Sequence, residues 1–409
     1  MKLTQIRNIF LYLFLVCFFF YPRFQTGFIA LAFFTTFFTG EFLNFKQTVL
    51  KNKLGLSMML FFIIHVLSML WTENQIGGWR SIESKFSLIA FPLFLPVIFY
   101  NGIKMESVFK FFNLIALVYI LLSLGNYFYN FFVLGNIPIN IVDNLNFKFS
   151  SEARNLHPTY VSFYLLTIIL YNGNELLNNI HNRRKTIFSI AGILSLSMLV
   201  LFLSSKVAFI GLFIVIFLLL GKYARQNGKI KQALLLFILF LGVALIGIYK
   251  SNLRIKFEQT YEELTNTNRT NKSYVQSTGA RIWFWKTTTE VIKENPILGV
   301  GTGDIRDELS KKYQEKGIIY IQDKGMDSHQ QYLQTFAATG LFGFLSLLSM
   351  FLLLFYDSIK NRKFLLFGFT LLYFIFGFTE SMLETQAGLV FFTFFALYLS
   401  YYNQVKKSI

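Results

Sequence analysis

Residues 327–344 read DSHQQYLQTFAATGLFGF, placing an acid, a serine, a histidine and two glutamines directly before a long apolar run. From His329 to about residue 356 the stretch measures roughly 40 Å at 1.5 Å per residue, which exceeds the bilayer's hydrocarbon core of about 30 Å. It therefore predicts a transmembrane helix whose polar start projects into the membrane interface. On this helix, His329 is expected to share a face with Leu333 and Gly340.

The whole chain has the composition of a membrane protein. Of its 409 residues, 54% are hydrophobic, 19% are aromatic and only 14% are charged, far from the balance of a soluble domain. The first apolar run lacks a small-residue cleavage site, so we interpret it as a span and not as a signal peptide. The single cysteine, Cys17, lies in that run, which excludes an intramolecular disulfide and a cysteine-based metal site.

Apolar segments recur along the chain and predict an all-α polytopic protein with about twelve transmembrane helices. The predicted spans lie near residues 8–20, 25–43, 54–71, 86–100, 108–132, 158–172, 187–203, 207–221, 232–249, 330–356, 364–379 and 387–402. Three parts follow from this pattern. Residues 1–249 carry spans one to nine, residues 250–329 form a long polar loop, and residues 330–409 carry the last three spans and a tail.

The basic residues predict the orientation of these spans. The net charge of +17 could indicate nucleic-acid binding, but the lysines and arginines fall mostly in short loops between spans, so no nucleic-acid partner is expected. If the N-terminus is cytoplasmic, every short, strongly basic loop and the C-terminal tail fall on the cytoplasmic side. The long loop then lies on the opposite face of the membrane.

Within the long loop, STGARIWFWKTTTEVIKENP predicts an amphipathic helix that begins near Trp283 and Trp285 and ends at Asn295 and Pro296. Tryptophan favours the membrane interface, so this helix is expected to lie along the outer surface. The glycines of GVGTGD follow a helix and belong to no βαβ unit, which argues against dinucleotide binding. A flexible turn, or a backbone that approaches a substrate closely, explains them better.

Several cations fall on the predicted outer face. Lys206 occupies a sharp turn between two apolar spans, where positive charge does not help to set topology and is costly beside lipid. Arg154 and His157 precede the sixth span, Arg281 begins the amphipathic helix, and Arg80 lies between spans three and four. These residues are candidates for binding an anionic substrate.

Each candidate also has an ordinary interpretation. His329 could simply mark a polar helix start, His157 could belong to ordinary helix capping before a proline, and Arg281 could anchor to lipid headgroups. Two outward acids, Glu380 and Glu384, could pair with the cations. The histidines neither pair at i, i+4 nor accompany an acidic pair, so no metal site is expected.

The chemistry of these residue types suits a diphosphate. Arginine binds phosphate oxygens through two hydrogen bonds, lysine supplies a point charge, and both stabilise the charge that develops on a departing diphosphate. His329 has a side chain whose ordinary pKa lies near neutrality, so it can accept a proton from an attacking hydroxyl. Because no nucleotide supply is expected outside the cytoplasm, the donor should be carried on a lipid.

The chain resembles the O-antigen ligase and O-antigen polymerase superfamily of bacterial envelope proteins. The resemblance rests on the number of spans and on the long loop late in the chain. It also rests on ARIWFWKTTTEVIKENPILGVGTGD, which matches the pattern R-x(3)-W…P-x-x-G-x-G, and on SHQQYLQTFAATGLFGF, which matches H-x(3)-L…G-x-x-G. It implies a membrane glycosyltransferase of GT-C-like architecture in the bacterial inner membrane, with a periplasmic active site.

The resemblance also implies roles for individual residues. Arg281 would bind the undecaprenyl diphosphate of a glycan donor, and His329 would activate the acceptor hydroxyl. Lys206 stands where the family has an arginine, which keeps the charge but loses the two-pronged grip. Arg154 would also contact the donor and His157 would be a further pocket residue, while Arg80, which also faces outward, is a possible pocket residue.

The implied reaction needs neither a metal nor a cofactor, and its acceptor would be lipid A core, a second glycan or a protein. Ligase and polymerase activities remain open, since both form the same bond. A transporter or flippase of lipid-linked or anionic solutes is the alternative. It predicts broken helices, internal repeats and charges near the bilayer centre. A structural scaffold is a third possibility, but it leaves the outward cations unexplained.

Overall fold

The computed structural model describes residues 3–21, 24–39, 52–99, 104–133, 157–179, 182–203, 205–249, 258, 278–316 and 326–405. Across these ranges the chain forms helices and turns and contains no strand. The α-helices are α1 (Leu3–Phe19), α2 (Gln25–Thr39), α3 (Lys53–Leu67), α4 (Gln75–Ser84), α5 (Ser87–Phe99), α6 (Met105–Phe132), α7 (Pro158–Asn178), α8 (Arg183–Phe202), α9 (Lys206–Asn227), α10 (Ile230–Tyr249), α11 (Thr278–Glu294), α12 (Ile305–Glu315), α13 (Gln331–Lys360), α14 (Phe364–Phe376) and α15 (Gln386–Val405).

Each predicted span coincides with one of these helices. Five helical stretches are long and apolar enough to cross a membrane, and six shorter helices are also apolar. The part of the chain that the structure describes is therefore helical, and its apolar helices indicate an integral membrane protein. The number of helices that cross the bilayer, and their orientation, stay predictions. The segment expected to connect spans three and four differs from a simple loop, because it contains α4.

The helices fall into two units. The first comprises residues Met1–Ala32 and Ile103–Ile255. Within it α7 packs against α6, α8 and α9 and is buried along most of its length. The Asn172 and Asn113 side-chain amides join α7 to α6 through two hydrogen bonds of 2.8 and 3.0 Å. Paired amides satisfy polar groups that would be costly to bury alone.

The second unit comprises Phe33–Gly102 and Lys256–Ile409, and α13 is its central helix. This helix packs against α3, α11, α12, α14 and α15. A small apolar cluster joins α11, α12 and the start of α13. Its buried members are Phe284, Val291, Ile292, Ile305, Leu309, Tyr313, Ala337 and Ala338. Helix α11, which covers the stretch predicted as amphipathic, therefore packs its apolar face on protein.

Helix α13 is interrupted at Gly340, whose φ of 63° and ψ of −160° are not helical. The backbone of residues 296–301 fills the interruption and replaces the hydrogen bonds that the helix loses there. The replacement bonds are Val300 N to Ala337 O (2.9 Å), Gly301 N to Ala338 O (2.9 Å) and Leu341 N to Pro296 O (3.0 Å). Buried backbone groups are almost always paired, and here the PILGVG segment is the partner.

Only glycine fits where these two backbones meet. A Cβ on Gly340 would lie 2.1 Å from the Ile297 carbonyl oxygen, and one on Gly299 would lie 2.5 Å from the Gly340 nitrogen. Gly299 also has a positive φ of 71°. The glycines of this motif thus permit close approach to a helix backbone. The interpretation that they form a flexible turn is wrong, because the segment is hydrogen-bonded across the break.

The same segment is fastened at its other end to the connection between α3 and α4. The Asp304 carboxylate accepts hydrogen bonds from the backbone nitrogens of Glu73 (2.8 Å) and Asn74 (2.7 Å). Thr302 donates its backbone N–H to Ser68 Oγ at 3.2 Å. The segment that follows α11 is therefore fixed both to α13 and to the connection between α3 and α4, and this fixes where α11 ends.

Candidate active site

Arg281 lies in the first turn of α11 and pairs with Glu380, which follows α14. Nη2 of Arg281 donates to Oε1 of Glu380 at 2.6 Å. The two side chains are only 27% and 10% exposed. Hydrogen bonds between two charged groups are about twice as strong as neutral ones, and burial strengthens them further. The sequence had left open that Glu380 pairs with a cation, and the structure identifies Arg281 as that cation.

His329 precedes α13 instead of lying on it. The helix begins at Gln331, and Gln330 caps it by accepting the Leu333 N–H through its side chain. The backbone φ of His329 is 47°, in the left-handed region, and its N–H donates to Asp327 Oδ1 at 2.9 Å. The prediction that His329 shares a helical face with Leu333 is therefore wrong. Non-glycine residues in this region are uncommon and cluster at functional sites.

The ring of His329 is held by a carboxylate on its edge and by an aromatic ring on its face. Nδ1 lies 3.5 Å from Glu380 Oε2 and 3.8 Å from Asp327 Oδ1. The Phe284 ring stacks on the imidazole with centroids 5.3 Å apart. With Nδ1 facing carboxylates, the neutral ring carries its proton on Nδ1 and keeps a lone pair on Nε2.

These neighbours also change the basicity of His329. Burial lowers the pKa of His329, and the Arg281 charge acts in the same direction. The hydrogen bond with Glu380 and the charges of Asp327 and Glu380 outweigh both, so the pKa rises above its ordinary value. A carboxylate that orients a histidine and raises its basicity is the arrangement found in many general bases.

A second buried network lies one turn farther along the same segment. Lys85, fully buried, donates to Glu384 Oε2 at 2.6 Å. The other oxygen, Oε1, accepts from Gln331 Nε2 at 3.2 Å, and Gln331 Oε1 accepts the Leu383 N–H at 2.6 Å. Burial acts to raise the pKa of Glu384, but the Lys85 charge and the hydrogen bonds from Lys85 and Gln331 outweigh it, so the pKa is lowered. This network joins residues 377–385 to Gln331, which lies two positions after His329.

The structure brings two of the predicted site residues together, since Arg281 and His329 share Glu380. Lys206 belongs to the first unit and begins α9, directly after the capping residue Ser205. His157 also belongs to the first unit, where it caps α7 by accepting the Thr159 N–H at 3.4 Å. That contact agrees with its ordinary interpretation as a capping residue.

Arg80 and Arg154 are the two remaining predicted site residues. Arg80 is exposed on α4 and takes no part in the contacts of Glu380 with Arg281 and His329 described above. Arg154 lies outside the described residues. Among the residues that are described, no group of histidine, cysteine and acidic side chains could hold a metal ion.

Sequence reasoning missed the roles of Lys85, Gln331 and Glu380. The acids of ESMLETQ were visible as outward residues between two spans, four positions apart. What could not be read from the sequence is that one acid meets a histidine and an arginine while the other meets a buried lysine. The available signal was the lysine directly before an apolar span, where an unpaired charge is costly.

Part of the chain is similar in sequence to known proteins. Residues 190–348, which include Lys206, Arg281 and His329, match the family model described as O-antigen ligase. An uncharacterised protein of Haemophilus influenzae is 26% identical over 179 residues. That alignment covers 44% of this chain and 45% of the relative, so less than half of either protein is compared. The family match confirms, over residues 190–348, the resemblance to the O-antigen ligase superfamily that the sequence motifs indicate.

Proposed function

We propose that this protein transfers a glycan from a polyprenyl-diphosphate carrier to an acceptor hydroxyl, without a metal, at the periplasmic face of the bacterial inner membrane. The observation that carries the proposal is the contact of Glu380 with both Arg281 and His329. A phosphate-binding side chain, Arg281, and a general-base candidate, His329, meet there. Both lie inside the region that matches the family, and Glu380 lies beyond its end. The orientation with both termini cytoplasmic belongs to the same proposal.

In the proposed reaction His329 acts as the general base. Its Nε2 accepts the proton of the acceptor hydroxyl while the hydroxyl oxygen forms a bond to the anomeric carbon of the donor. The bond between that carbon and the diphosphate oxygen breaks, and its electron pair leaves with the diphosphate. Attack opposite to the leaving group inverts the anomeric configuration.

Cations stabilise the leaving group in this proposal. The planar guanidinium of Arg281 can bind two phosphate oxygens at once, and Lys206 supplies a second charge that need not be directional. A lysine at the first turn of a helix is electrostatically unfavourable, because the helix N-terminus is itself positive. An anion bound beside Lys206 would offset this unfavourable charge.

The partners follow from the same chemistry. The donor would be an undecaprenyl-diphosphate-linked glycan whose apolar tail lies among phenylalanine-rich helices. The acceptor would be lipid A core, a second glycan or a protein, which makes the protein a ligase or a polymerase. The transporter alternative expects broken helices, and α13 is broken at Gly340. The backbone of residues 296–301 fills that break, however, and so it offers no open site for a solute.

The test is complementation of a strain that lacks the native copy. His329→Ala and Arg281→Ala should each abolish glycan transfer at normal protein levels, whereas the exposed-arginine control Arg306→Ala should retain it. Full activity in both site variants would overturn the mechanism. In the deletion strain, accumulated unattached polymer would indicate a ligase, and single capped repeats would indicate a polymerase.

A further inference from the structure

Glu380 contacts both Arg281 and His329, which the proposed reaction uses in different ways, and this leads to an inference that rests on the proposed function. We propose that Glu380 is a positioning residue that couples donor binding to activation of His329. The donor diphosphate and the Glu380 carboxylate would compete for Arg281. When the diphosphate takes Arg281, the carboxylate is released to bind Nδ1 of His329.

The two contacts of Glu380 are unequal. Oε1 accepts from Arg281 at 2.6 Å, which is a short charge-assisted hydrogen bond, whereas Oε2 lies 3.5 Å from the histidine nitrogen. A donor–acceptor distance of 3.5 Å is at the limit for a hydrogen bond, so this contact is weaker than the one with Arg281. The carboxylate is therefore engaged mainly by Arg281, and the orientation of His329 is incomplete.

A diphosphate is a natural competitor for this arginine. It presents more negative charge than one carboxylate and offers the same pair of oxygens to the guanidinium. Its negative charge would also repel the Glu380 carboxylate. Both effects favour transfer of the carboxylate from Arg281 to the imidazole.

The exchange needs only a side-chain movement, because the backbone around Glu380 is fixed on both sides. Gly377 accepts the backbone N–H of Gln331 at 2.8 Å, and Glu384 is held by Lys85 and Gln331. Gln331, which holds the segment that carries Glu380, therefore lies only two residues after His329. The carboxylate can rotate between its partners while both stay in place.

This coupling would order the reaction. His329 would be fully oriented, with Nε2 ready to accept a proton, only after the lipid-linked donor has bound Arg281. An acceptor hydroxyl would then be activated only beside a donor. The coupling changes only which partner the Glu380 carboxylate binds, and it adds no chemical step to the reaction.

The test combines binding with kinetics, using purified protein in lipid nanodiscs and undecaprenyl diphosphate as the probe. Glu380→Gln removes the competing charge, so it should bind the probe about tenfold more tightly, the change expected for one charge-assisted hydrogen bond. The same variant should lower KM for the lipid-linked glycan and lower kcat by at least tenfold. Glu380→Asp, whose carboxylate is one methylene shorter and cannot span both partners, should change both constants in the same directions. Glu380→Asp can replace Glu380→Gln in this test if the amide variant folds poorly.

Two controls decide what a failure means. Glu290→Gln, which removes an exposed carboxylate of α11 paired with Lys316, should leave KM, kcat and probe binding unchanged. In an Arg281→Ala background, Glu380→Gln should raise probe affinity far less, because the competition for Arg281 is gone and only direct repulsion between carboxylate and diphosphate remains. A loss of kcat without tighter probe binding in both Glu380 variants would overturn the coupling. If His329→Ala transferred glycan normally, the proposed function itself would fail.

Discussion

Gly340→Ala should destabilise the protein strongly, because the added Cβ forces apart the interrupted α13 and the segment that fills the interruption. The φ and ψ of Gly340 lie in a region that is essentially confined to glycine, and forcing another residue into such a conformation costs about 1–3 kcal/mol. The Cβ would lie 2.1 Å from the Ile297 carbonyl oxygen, so the loop backbone must move. Movement weakens three backbone hydrogen bonds worth about 1 kcal/mol each.

The expected loss is therefore about 3–5 kcal/mol in the free energy of unfolding. For a unit of this size, 1 kcal/mol shifts Tm by about 2–4 °C, so Gly340→Ala should lower Tm by roughly 10 °C. The assay is thermal unfolding followed by intrinsic fluorescence in detergent micelles. Glycan transfer should fall as well, because the loop fixes α11, which carries Arg281, against the helix that follows His329.

A matched control is Gly221→Ala in α9. A Cβ at Gly221 meets no atom within 4 Å, and alanine is favoured over glycine inside a helix by about 1 kcal/mol. This variant should leave Tm unchanged or raise it slightly. Equal Tm values for the two variants would refute the view that the glycine motif exists to let the two backbones meet.

Four further outcomes are expected. Glycan transfer should rise with pH through a pKa above the ordinary histidine value, because His329 must lose its proton to act as base and its pKa is raised. In Glu380→Gln this acidic limb should move to lower pH, and an unmoved limb would show that the carboxylate does not act on the histidine. Lys206→Arg should keep KM for the donor near the wild-type value, whereas Lys206→Ala should raise it about tenfold, as expected for the loss of one charge-assisted contact. A KM for Lys206→Ala identical to that of the wild type would show that Lys206 is not part of the site. Lys85→Met should lower the free energy of unfolding, measured by urea unfolding, by about 3–5 kcal/mol because the Glu384 charge is left unpaired. The double variant Lys85→Met/Glu384→Gln should recover most of this loss. An equal loss in the single and double variants would speak against the buried pair. Treatment with EDTA should leave transfer intact, and a loss that divalent ions restore would indicate a metal-dependent enzyme.

The helices could be predicted from the sequence because apolar runs of sufficient length have few alternatives in a membrane protein. The placement of His329 on α13 was wrong because the DSHQQ stretch forms a side-chain-capped turn before the helix. There Asp327 holds a left-handed residue, His329, and Gln330 serves as the cap. Short polar residues compete with helix in this way, and hydropathy does not register it.

The candidate site could be predicted only in part. Arg281 and His329 were visible because their positions and residue types were unusual for a membrane interface. The role of Glu380 depends on tertiary structure, since the turn after α14 brings it to side chains 99 and 51 residues away along the chain. For the glycines of the GVGTGD motif, the sequence likewise indicated an unusual backbone conformation or a close approach. It could not indicate that the segment they contact is the interrupted turn of α13.

The most direct test of the central claim is glycan transfer by purified protein in liposomes, with lipid-linked donor extracted from the deletion strain and acceptor from the same envelope. Wild-type protein should release one polyprenyl diphosphate for each glycan transferred. His329→Ala should still bind undecaprenyl diphosphate but should transfer no glycan and release no diphosphate. Transfer by His329→Ala at the wild-type rate would contradict the account.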